Sequence, residues 1–269
     1  DQNDLIRANA TGFEAVKSGE VGLNSAFESI RFASSCASKG YNADFLALTR
    51  WLVTVNQSDE RYQPILKVFT DYVFQNYAIS DGRVVLGQKC RRQRVHNATS
   101  ASKDIGISKL RITKFARAMG LEDSINETGV SFSKDKHRDL LREFAFCVTS
   151  TEVRKRFGLS YEMVDRLFRA GLLRPRFNLP ELAPVYHPND IEKFEKSVFR
   201  AAQEVLEIPD GYRPLNELCS QTKSKIEKLI CLAQSGKLKT LCFHASDKGL
   251  WCLHADPTDV WDQLEIDPP

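Results

Sequence analysis

The sequence lacks the features of a membrane, secreted or disulfide-bonded protein. Its most apolar stretch, FLALTRWLVTV at 45–55, is too short to span a bilayer and contains Arg50. Residues 1–20 include no apolar segment, so we expect no signal peptide there. The seven cysteines are odd in number and form no CxxC pair. This cysteine usage argues against a disulfide scaffold and predicts a reducing, cytoplasmic location.

Sequence motifs of the common enzyme classes are also missing. There is no GxGxxG, Walker A or GxSxG pattern. The HRDLL segment at 137–141 resembles a kinase catalytic loop, but no glycine-rich loop or DFG accompanies it. A metal-dependent nuclease needs clustered carboxylates, and the acid-rich segment of this chain is its C-terminal tail, with five acids and no Lys or Arg. We therefore expect a protein that is not an enzyme, with no catalytic residues, no cofactor and no bound metal.

Positive charge is concentrated in particular segments, although the net charge is only +3. Residues 89–117 contain nine Lys and Arg and one acid, Asp104, and residues 154–176 contain seven against two acids. The segment 254–269 contains five acids and no Lys or Arg. A solvated helix face would explain a basic segment. Its recurrence in one kind of segment favours a polyanionic partner.

One pattern of two short helices occurs three times, at 99–121, 149–177 and 215–238. In each copy a short apolar helix is followed by a turn and then a second helix with buried residues spaced i, i+3, i+4. Gly106 and Gly158 permit the turn in the first two copies, and the third copy has no glycine there. Ser108 and Ser160 can cap the second helices of the first two copies. The buried triples are Ile112, Phe115 and Ala116, then Val164, Leu167 and Phe168, then Ile226, Leu229 and Ile230.

Each helix pair is followed by predicted strands and a closing helix, at 129–141, 183–194 and 248–260. Two helices, a two-stranded wing and a closing helix are typical of a winged helix-turn-helix unit. We therefore predict a mainly α fold: a helical bundle at 1–85 and winged units at 86–147, 148–208 and 209–269, the last one weaker and with an acidic tail. In the bundle, Phe27, Ile30, Phe32, Phe45 and Leu52 have helical apolar spacing, and we interpret Trp51 as a core residue.

The helix-turn-helix inserts the start of its second helix into the major groove of DNA, so that face must be polar and basic. Wings bring Arg or Lys to the minor groove or to phosphates. Glu162 and Asp165 lie on the predicted exposed face of the second copy, where their carboxylates could accept a hydrogen bond from the cytosine amino group or repel phosphate. The predicted contacts with double-stranded DNA are Arg91, Arg92, Arg94, Ser108, Lys109, Arg111, Lys114 and Arg117 in the first copy, Ser160, Tyr161, Arg166, Arg169, Arg174 and Arg176 in the second, and Lys223 and Lys225 in the third. Winged units also serve as protein-docking modules, which leaves a transcription regulator or an architectural subunit as alternatives.

The segments FTDYVFQNYAISDGRVVLGQ and RVHNATSASKDIGISKLRITKFARAMGL resemble the C-terminal half of TniQ-type transposon targeting proteins. The likeness covers roughly residues 60–195, and the 149–175 segment equally resembles excisionase and MerR-like DNA-binding modules. The resemblance implies a target-selecting, DNA-binding subunit of a transposition system that works with an AAA+ ATPase and a transposase. The zinc-binding Cys/His pairs of that family's N-terminal domain have no counterpart in residues 1–60.

Two C-x-H pairs at the third wing are the one arrangement with metal-ligand character. On two alternating strands, Cys242, His244, Cys252 and His254 would share one face, opposite Leu241 and Leu253. Four such side chains could in principle hold zinc. However, a flat strand face does not converge its side chains, so we predict a plain hairpin without stoichiometric zinc.

Overall fold

A computed structural model of the protein describes residues 11–34, 40–54, 59–122, 124–126, 129–246 and 249–266. Helix accounts for 59% of the structure and strand for 11%, so the predicted mainly α class with short sheets is confirmed. The chain divides into two compact units, Asp1–Arg142 and Glu143–Pro269. These units are coarser than the four predicted segments. The four-part division and the winged-helix assignment stay predictions.

Unit 1 (Asp1–Arg142) combines a helical bundle with two small sheets. Its helices are α1 (11–17), α2 (Gly19–Ser34), α3 (Tyr41–Asp44), α4 (Leu46–Thr54), α5 (Gln63–Asn76), α6 (Ala98–Ile105) and α7 (Lys109–Ala118), with a 3₁₀ turn at Glu60–Tyr62. Helix α8 (Lys134–Phe146) begins in unit 1 and continues past Arg142 into unit 2. Its strands are β1 (Val84–Val85), β2 (Gln88–Lys89), β3 (Val95–Asn97), β4 (Ser124–Asn126) and β5 (Gly129–Ser133). Strands β1 and β2 form a hairpin, and the second sheet has the order β3-β5-β4.

The bundle is held together by aromatic side chains. Phe27, Phe45 and Phe69 are at most 4% exposed, and their rings meet edge to face with centroids 5.2–5.9 Å apart. Edge-to-face pairs of this kind add about 0.5–1.5 kcal/mol each beyond the burial of their area. The predicted burial of Phe27, Phe45 and Leu52 is therefore confirmed.

Three apolar residues assigned to the bundle core lie at its surface. Ile30 and Phe32 are 41% and 73% exposed. The buried face of α2 contains Leu23 and Phe27 and is narrower than the face that the helical spacing predicted. Trp51 is 38% exposed and packs edge to face on Tyr62. It lies about 100° around α4 from the buried Leu52, so only one of these neighbours can point inward. These three core assignments were wrong.

The first helix pair packs against the three-stranded sheet of unit 1. Helices α6 and α7 contact each other and strand β5. The predicted triple Ile112, Phe115 and Ala116 is fully buried. Gly106, with φ 83°, ends α6 in the left-handed conformation that glycine adopts most readily. The turn and the buried face of this pair are thus as predicted.

Unit 2 (Glu143–Pro269) contains the other two helix pairs. Its helices are α9 (Ser150–Phe157), α10 (Tyr161–Arg169), α11 (Pro188–Phe199), α12 (Leu215–Gln221), α13 (Ile226–Gln234) and α14 (Pro257–Leu264), with a 3₁₀ turn at Leu250–Cys252. Its strands are β6 (Val148–Thr149), β7 (Val185–Tyr186), β8 (Gln203–Val205), β9 (Arg213–Pro214), β10 (Cys242–His244) and β11 (His254–Ala255). Strand β6 pairs with β7, and the other sheet has the order β8-β10-β11-β9.

The second and third helix pairs share one hydrophobic core. Their second helices, α10 and α13, pack against each other, and α13 also packs against α11. Leu167 of α10 and Leu229 of α13 belong to the same buried cluster, and both are 0% exposed. The buried triple of the third copy is confirmed. In the second copy Val164 and Leu167 are buried, but Phe168 is partly exposed, so its assignment to the core was wrong.

The segment predicted to form the third wing differs from the expected two-stranded hairpin. Residues 250–252 form a 3₁₀ turn, so the strand alternation assumed for Cys252 does not hold and the prediction of one shared face was wrong. Cys242 and Cys252 are buried, and His254 directs Nδ1 at the Cys252 carbonyl, 2.9 Å away. Among the described residues, no three His, Cys, Asp or Glu side chains are placed to hold a metal ion.

His96 is a buried titratable group in strand β3, just before the first helix pair. Its side chain is 2% exposed, with Nε2 lying 3.3 Å from Asp104 Oδ2 and Nδ1 lying 3.0 Å from Ser100 Oγ. Lys134 Nζ lies 3.4 Å from the same Asp104 oxygen. Burial, and then the Lys134 charge, lower the pKa of His96. The imidazole is therefore neutral in the folded protein at neutral pH.

We expect unit 1 to lose stability as the pH falls below about 6.5, the ordinary pKa of histidine. Since the folded state holds the pKa of His96 below that value, the unfolded chain binds the proton first and unfolding becomes easier. One such group can lower the free energy of unfolding by at most about 1.4 kcal/mol per pH unit. Thermal unfolding from pH 7.5 to 5.5 checks this, with His96→Gln expected to flatten the slope. An NMR titration of His96 at or above pH 6.5 would contradict it.

No helix among the described residues combines the length and the apolar character needed to cross a bilayer.

Candidate nucleic-acid interface

The first helix pair is built by local capping interactions. Asn97 Oδ1 accepts from the Ser100 backbone N–H at 2.8 Å, and Ser100 Oγ accepts from the Asn97 N–H at 3.0 Å, which fixes the start of α6. Ser108 begins α7, and its Oγ accepts from the Arg111 N–H at 3.4 Å. As predicted, Ser108 is the N-cap. Its hydroxyl is therefore engaged with the backbone of its own helix.

Helix α7 presents cations on the side opposite its buried face. The helix sequence KLRITKFARA contains four Lys and Arg and no acid. Lys109 and Arg117 are exposed, and Arg111 and Lys114 are partly exposed. Arg117 Nε lies 3.7 Å from Glu122, a residue beyond the end of the helix. The four predicted contact cations of α7 thus share one helix surface.

Three arginines precede strand β3 in the same unit. Arg91, Arg92 and Arg94 are all exposed. Arg92 donates to Asp135 at the start of α8, with Nη2 and Oδ1 2.6 Å apart. This exposed pair is held weakly, because solvent screens it, so Arg92 can exchange a carboxylate for another anion.

The second helix pair has the same local design but a different charge pattern. Thr149 N–H donates to Glu152 Oε2 at 2.7 Å, Gly158 turns the chain with φ 72°, and Ser160 Oγ accepts from the Met163 N–H. Helix α10 carries two acids beside its two arginines. Its intrahelical pairs are Arg166 with Glu162 at 2.6 Å and Arg169 with Asp165 at 2.8 Å. The hydrogen bond from Arg166 to Glu162 raises the pKa of that arginine.

Tyr161 lies at the start of α10 with 55% of its surface exposed. Its hydroxyl lies 2.9 Å from Thr151 Oγ1, and the Arg154 guanidinium stacks over its ring at 4.3 Å. A cation held over a ring in this way gains about 0.5–1 kcal/mol at an exposed site. Tyr161 thereby orients Arg154, a cation on α9 that is not among the predicted contacts with DNA.

Arg174 and Arg176 are exposed on the segment that follows α10. Arg176 Nε donates to Glu143 Oε1 at 2.5 Å. A Cβ added at Gly171 would lie 3.5 Å from Arg174 Nη2, so that guanidinium lies close to the glycine that follows α10. Both arginines lie just before Phe177, which forms a bridge to Val185 of β7. Both arginines therefore lie near a short antiparallel pairing, and the assignment of this segment to a wing stays a prediction.

The third helix pair replaces the turn glycine with a lysine. Lys223 adopts φ 50°, the left-handed conformation that Gly106 and Gly158 adopt in the other turns. Lys225 precedes α13 as its N-cap residue without a side-chain capping hydrogen bond. Both lysines are exposed. Because the short turn needs left-handed backbone, Lys223 is held there at a conformational cost of about 1–2 kcal/mol.

The three second helices therefore differ in charge. Helix α7 carries four cations and no acid, whereas the cations of α10 are matched by acids and α13 has only Lys228 and Glu227. In unit 2 the inner faces of α10 and α13 are also covered by each other. Nothing in the sequence could reveal this packing, because the two helices lie about sixty residues apart in the chain. The strongest candidate for a polyanion surface is α7.

Comparison of the chain with protein-family models, with curated proteins and with solved structures finds no match.

Proposed function

We propose that this protein binds double-stranded DNA through winged helix-turn-helix units, and that α7 is the helix that enters the major groove. The observation that carries the proposal is the charge of α7: four cations and no acid on a helix whose opposite face is fully buried. Phosphate neutralisation by Lys and Arg supplies most of the affinity of such proteins. Arg91, Arg92 and Arg94 add three more exposed cations to the same unit.

In this proposal unit 2 contributes less of the electrostatic attraction. Arg166 and Arg169 already contact acids on their own helix, so DNA must displace those acids before its phosphates can pair with the arginines. Such exposed pairs are worth only about 0.2–1 kcal/mol, which makes the exchange feasible but weakly favourable. Protein docking by unit 2 is the second candidate function, since its α10 surface is electrically balanced.

The resemblance to TniQ-type proteins supports a more specific proposal, a target-selecting subunit of a transposition system that has no catalytic activity of its own. An AAA+ ATPase and a transposase are the partners that this role implies. A transcription regulator would need the same DNA-binding surface. Co-purification with the transposition proteins would distinguish the two roles.

Salt-dependent DNA binding tests the proposal. We expect the chain to bind a duplex at low salt, with log Kd changing steeply with log salt concentration. Replacing Lys109, Arg111 and Lys114 by Ala should weaken binding and reduce that slope by about 0.9 for each phosphate that the variant no longer neutralises. Fluorescence anisotropy with a labelled duplex at several salt concentrations measures both quantities.

A matched variant controls for the loss of net charge. Lys17, Arg50 and Lys67 are exposed on the helical bundle of the same unit, so Lys17→Ala, Arg50→Ala and Lys67→Ala together remove the same charge. We expect this control to keep nearly the full slope. Equal reductions in both triple variants would show that net charge, and not α7, governs binding. Absence of binding at low salt would refute the DNA-binding proposal.

A further inference from the structure

Helix α7 carries one large apolar side chain on its charged surface. Leu110 is 66% exposed, although it lies between Lys109 and Arg111 in the first turn of the helix. Lys114 and Arg117 follow it at i+4 and i+7, so the three residues form one stripe along the helix. Leu110 thus projects from the middle of the cationic surface.

Leu110 does not serve the core of its own unit. The buried face of α7 is formed by Ile112, Phe115 and Ala116, all 0% exposed. The chain therefore leaves a leucine in water at a position where any polar residue would fit the helix equally well. Such a side chain gains free energy only when a partner covers it.

The charges around Leu110 indicate the chemistry of that partner. A protein surface apolar enough to cover Leu110 would also have to desolvate Lys109 and Arg111, which is costly without matching acids. The major groove of DNA offers phosphates on both sides and, on its floor, one apolar group, the C5-methyl of thymine. The first turn of a helix in this position is the part that reaches the base edges.

We propose that Leu110 contacts the C5-methyl group of a thymine in the major groove and so makes the first helix pair selective for a T·A pair. This inference rests on the proposed DNA binding by α7. It adds a specificity-determining residue to a surface that otherwise recognises phosphates. Phosphate contacts alone carry no sequence information.

Replacing thymine by deoxyuridine tests the contact, because the two bases differ only by that methyl group. Duplexes that the full chain selects from a randomised pool would be synthesised with each thymine changed in turn to deoxyuridine. We expect at least one substitution to weaken binding of the unaltered protein about fourfold, the effect of one buried methyl group. Leu110→Ala should bind the thymine and deoxyuridine duplexes equally, and Leu110→Met should keep the difference.

The outcomes separate this inference from the proposed function. DNA binding without any thymine dependence, or a thymine dependence that Leu110→Ala retains, would overturn the methyl contact and leave DNA binding intact. If Leu110→Ala weakens binding to the thymine and deoxyuridine duplexes by the same factor, Leu110 contributes to affinity without contacting the methyl group, and the methyl contact is again overturned. Failure to bind any duplex at low salt would remove both proposals. Leu110 is exposed, so its replacement is not expected to unfold the unit.

Discussion

Leu167→Ala is expected to lower the free energy of unfolding of unit 2 by about 2–5 kcal/mol. Leu167 is fully buried in α10, at the core that the second and third helix pairs share. Removing its side chain leaves a cavity between helices that belong to both pairs, because α10 packs against α13. We therefore expect residues 148–208 and 209–269 to be destabilised together.

Hydrogen exchange measured by mass spectrometry checks both parts of this expectation. Protection should fall to a similar extent in the peptides covering α10 and α13. Leu206→Ala is the matched control: it is the same substitution in the same unit, at a side chain that is 92% exposed. It should change stability by no more than about 0.5 kcal/mol. Loss of protection confined to 148–208 would show that the two helix pairs fold as separate domains.

The sequence was most informative where structure depends on local chemistry. The N-caps Ser108 and Ser160, the turn glycines Gly106 and Gly158, and the buried triple of α7 were all predicted at the correct residues. Each follows from interactions within one or two helical turns. For the same reason the exposed cations of α7 could be identified from its buried face.

Predictions that depended on distant contacts were less successful. The sequence indicated that α10 and α13 each have a buried face, but it could not indicate that these faces cover each other. Helical periodicity also assigned Phe168 to the core, although only Val164 and Leu167 of that triple are fully enclosed. The 3₁₀ turn at 250–252 escaped detection, because alternating apolar residues suggested a continuous strand.

One of these long-range contacts leads to a second large effect. Trp251, in the 3₁₀ turn at 250–252, donates from Nε1 to the Gly158 carbonyl oxygen at 2.8 Å. A Cβ added at Gly158 would lie 3.2 Å from Trp251 Cδ1, which is closer than an ordinary van der Waals contact. Gly158 is therefore constrained both by its positive φ and by the indole that covers the turn.

Gly158→Ala is expected to destabilise unit 2 by about 2–4 kcal/mol. The left-handed backbone accounts for about 1–2 kcal/mol, and the rest comes from overpacking and from weakening of the hydrogen bond as the indole moves. Gly211→Ala provides the control, since Gly211 also has a positive φ, 88°, but has no atom within 4 Å of an added Cβ. Chemical denaturation of the two variants measures the difference, which should be at least about 1 kcal/mol.

The extra loss of stability in Gly158→Ala, relative to Gly211→Ala, should depend on the Trp251 indole. In a Trp251→Leu background the added methyl meets a smaller and more flexible side chain, so Gly158→Ala should cost about as much as Gly211→Ala. If Gly158→Ala still destabilises unit 2 more than Gly211→Ala does in the Trp251→Leu background, the close approach of the ring is not the cause of the difference. If Gly158→Ala and Gly211→Ala lower the free energy of unfolding equally in the protein that retains Trp251, the left-handed backbone alone explains the loss of stability. The expected coupling would instead show that the 3₁₀ turn at 250–252 stabilises the turn of the second helix pair, and that unit 2 behaves as one cooperative structure.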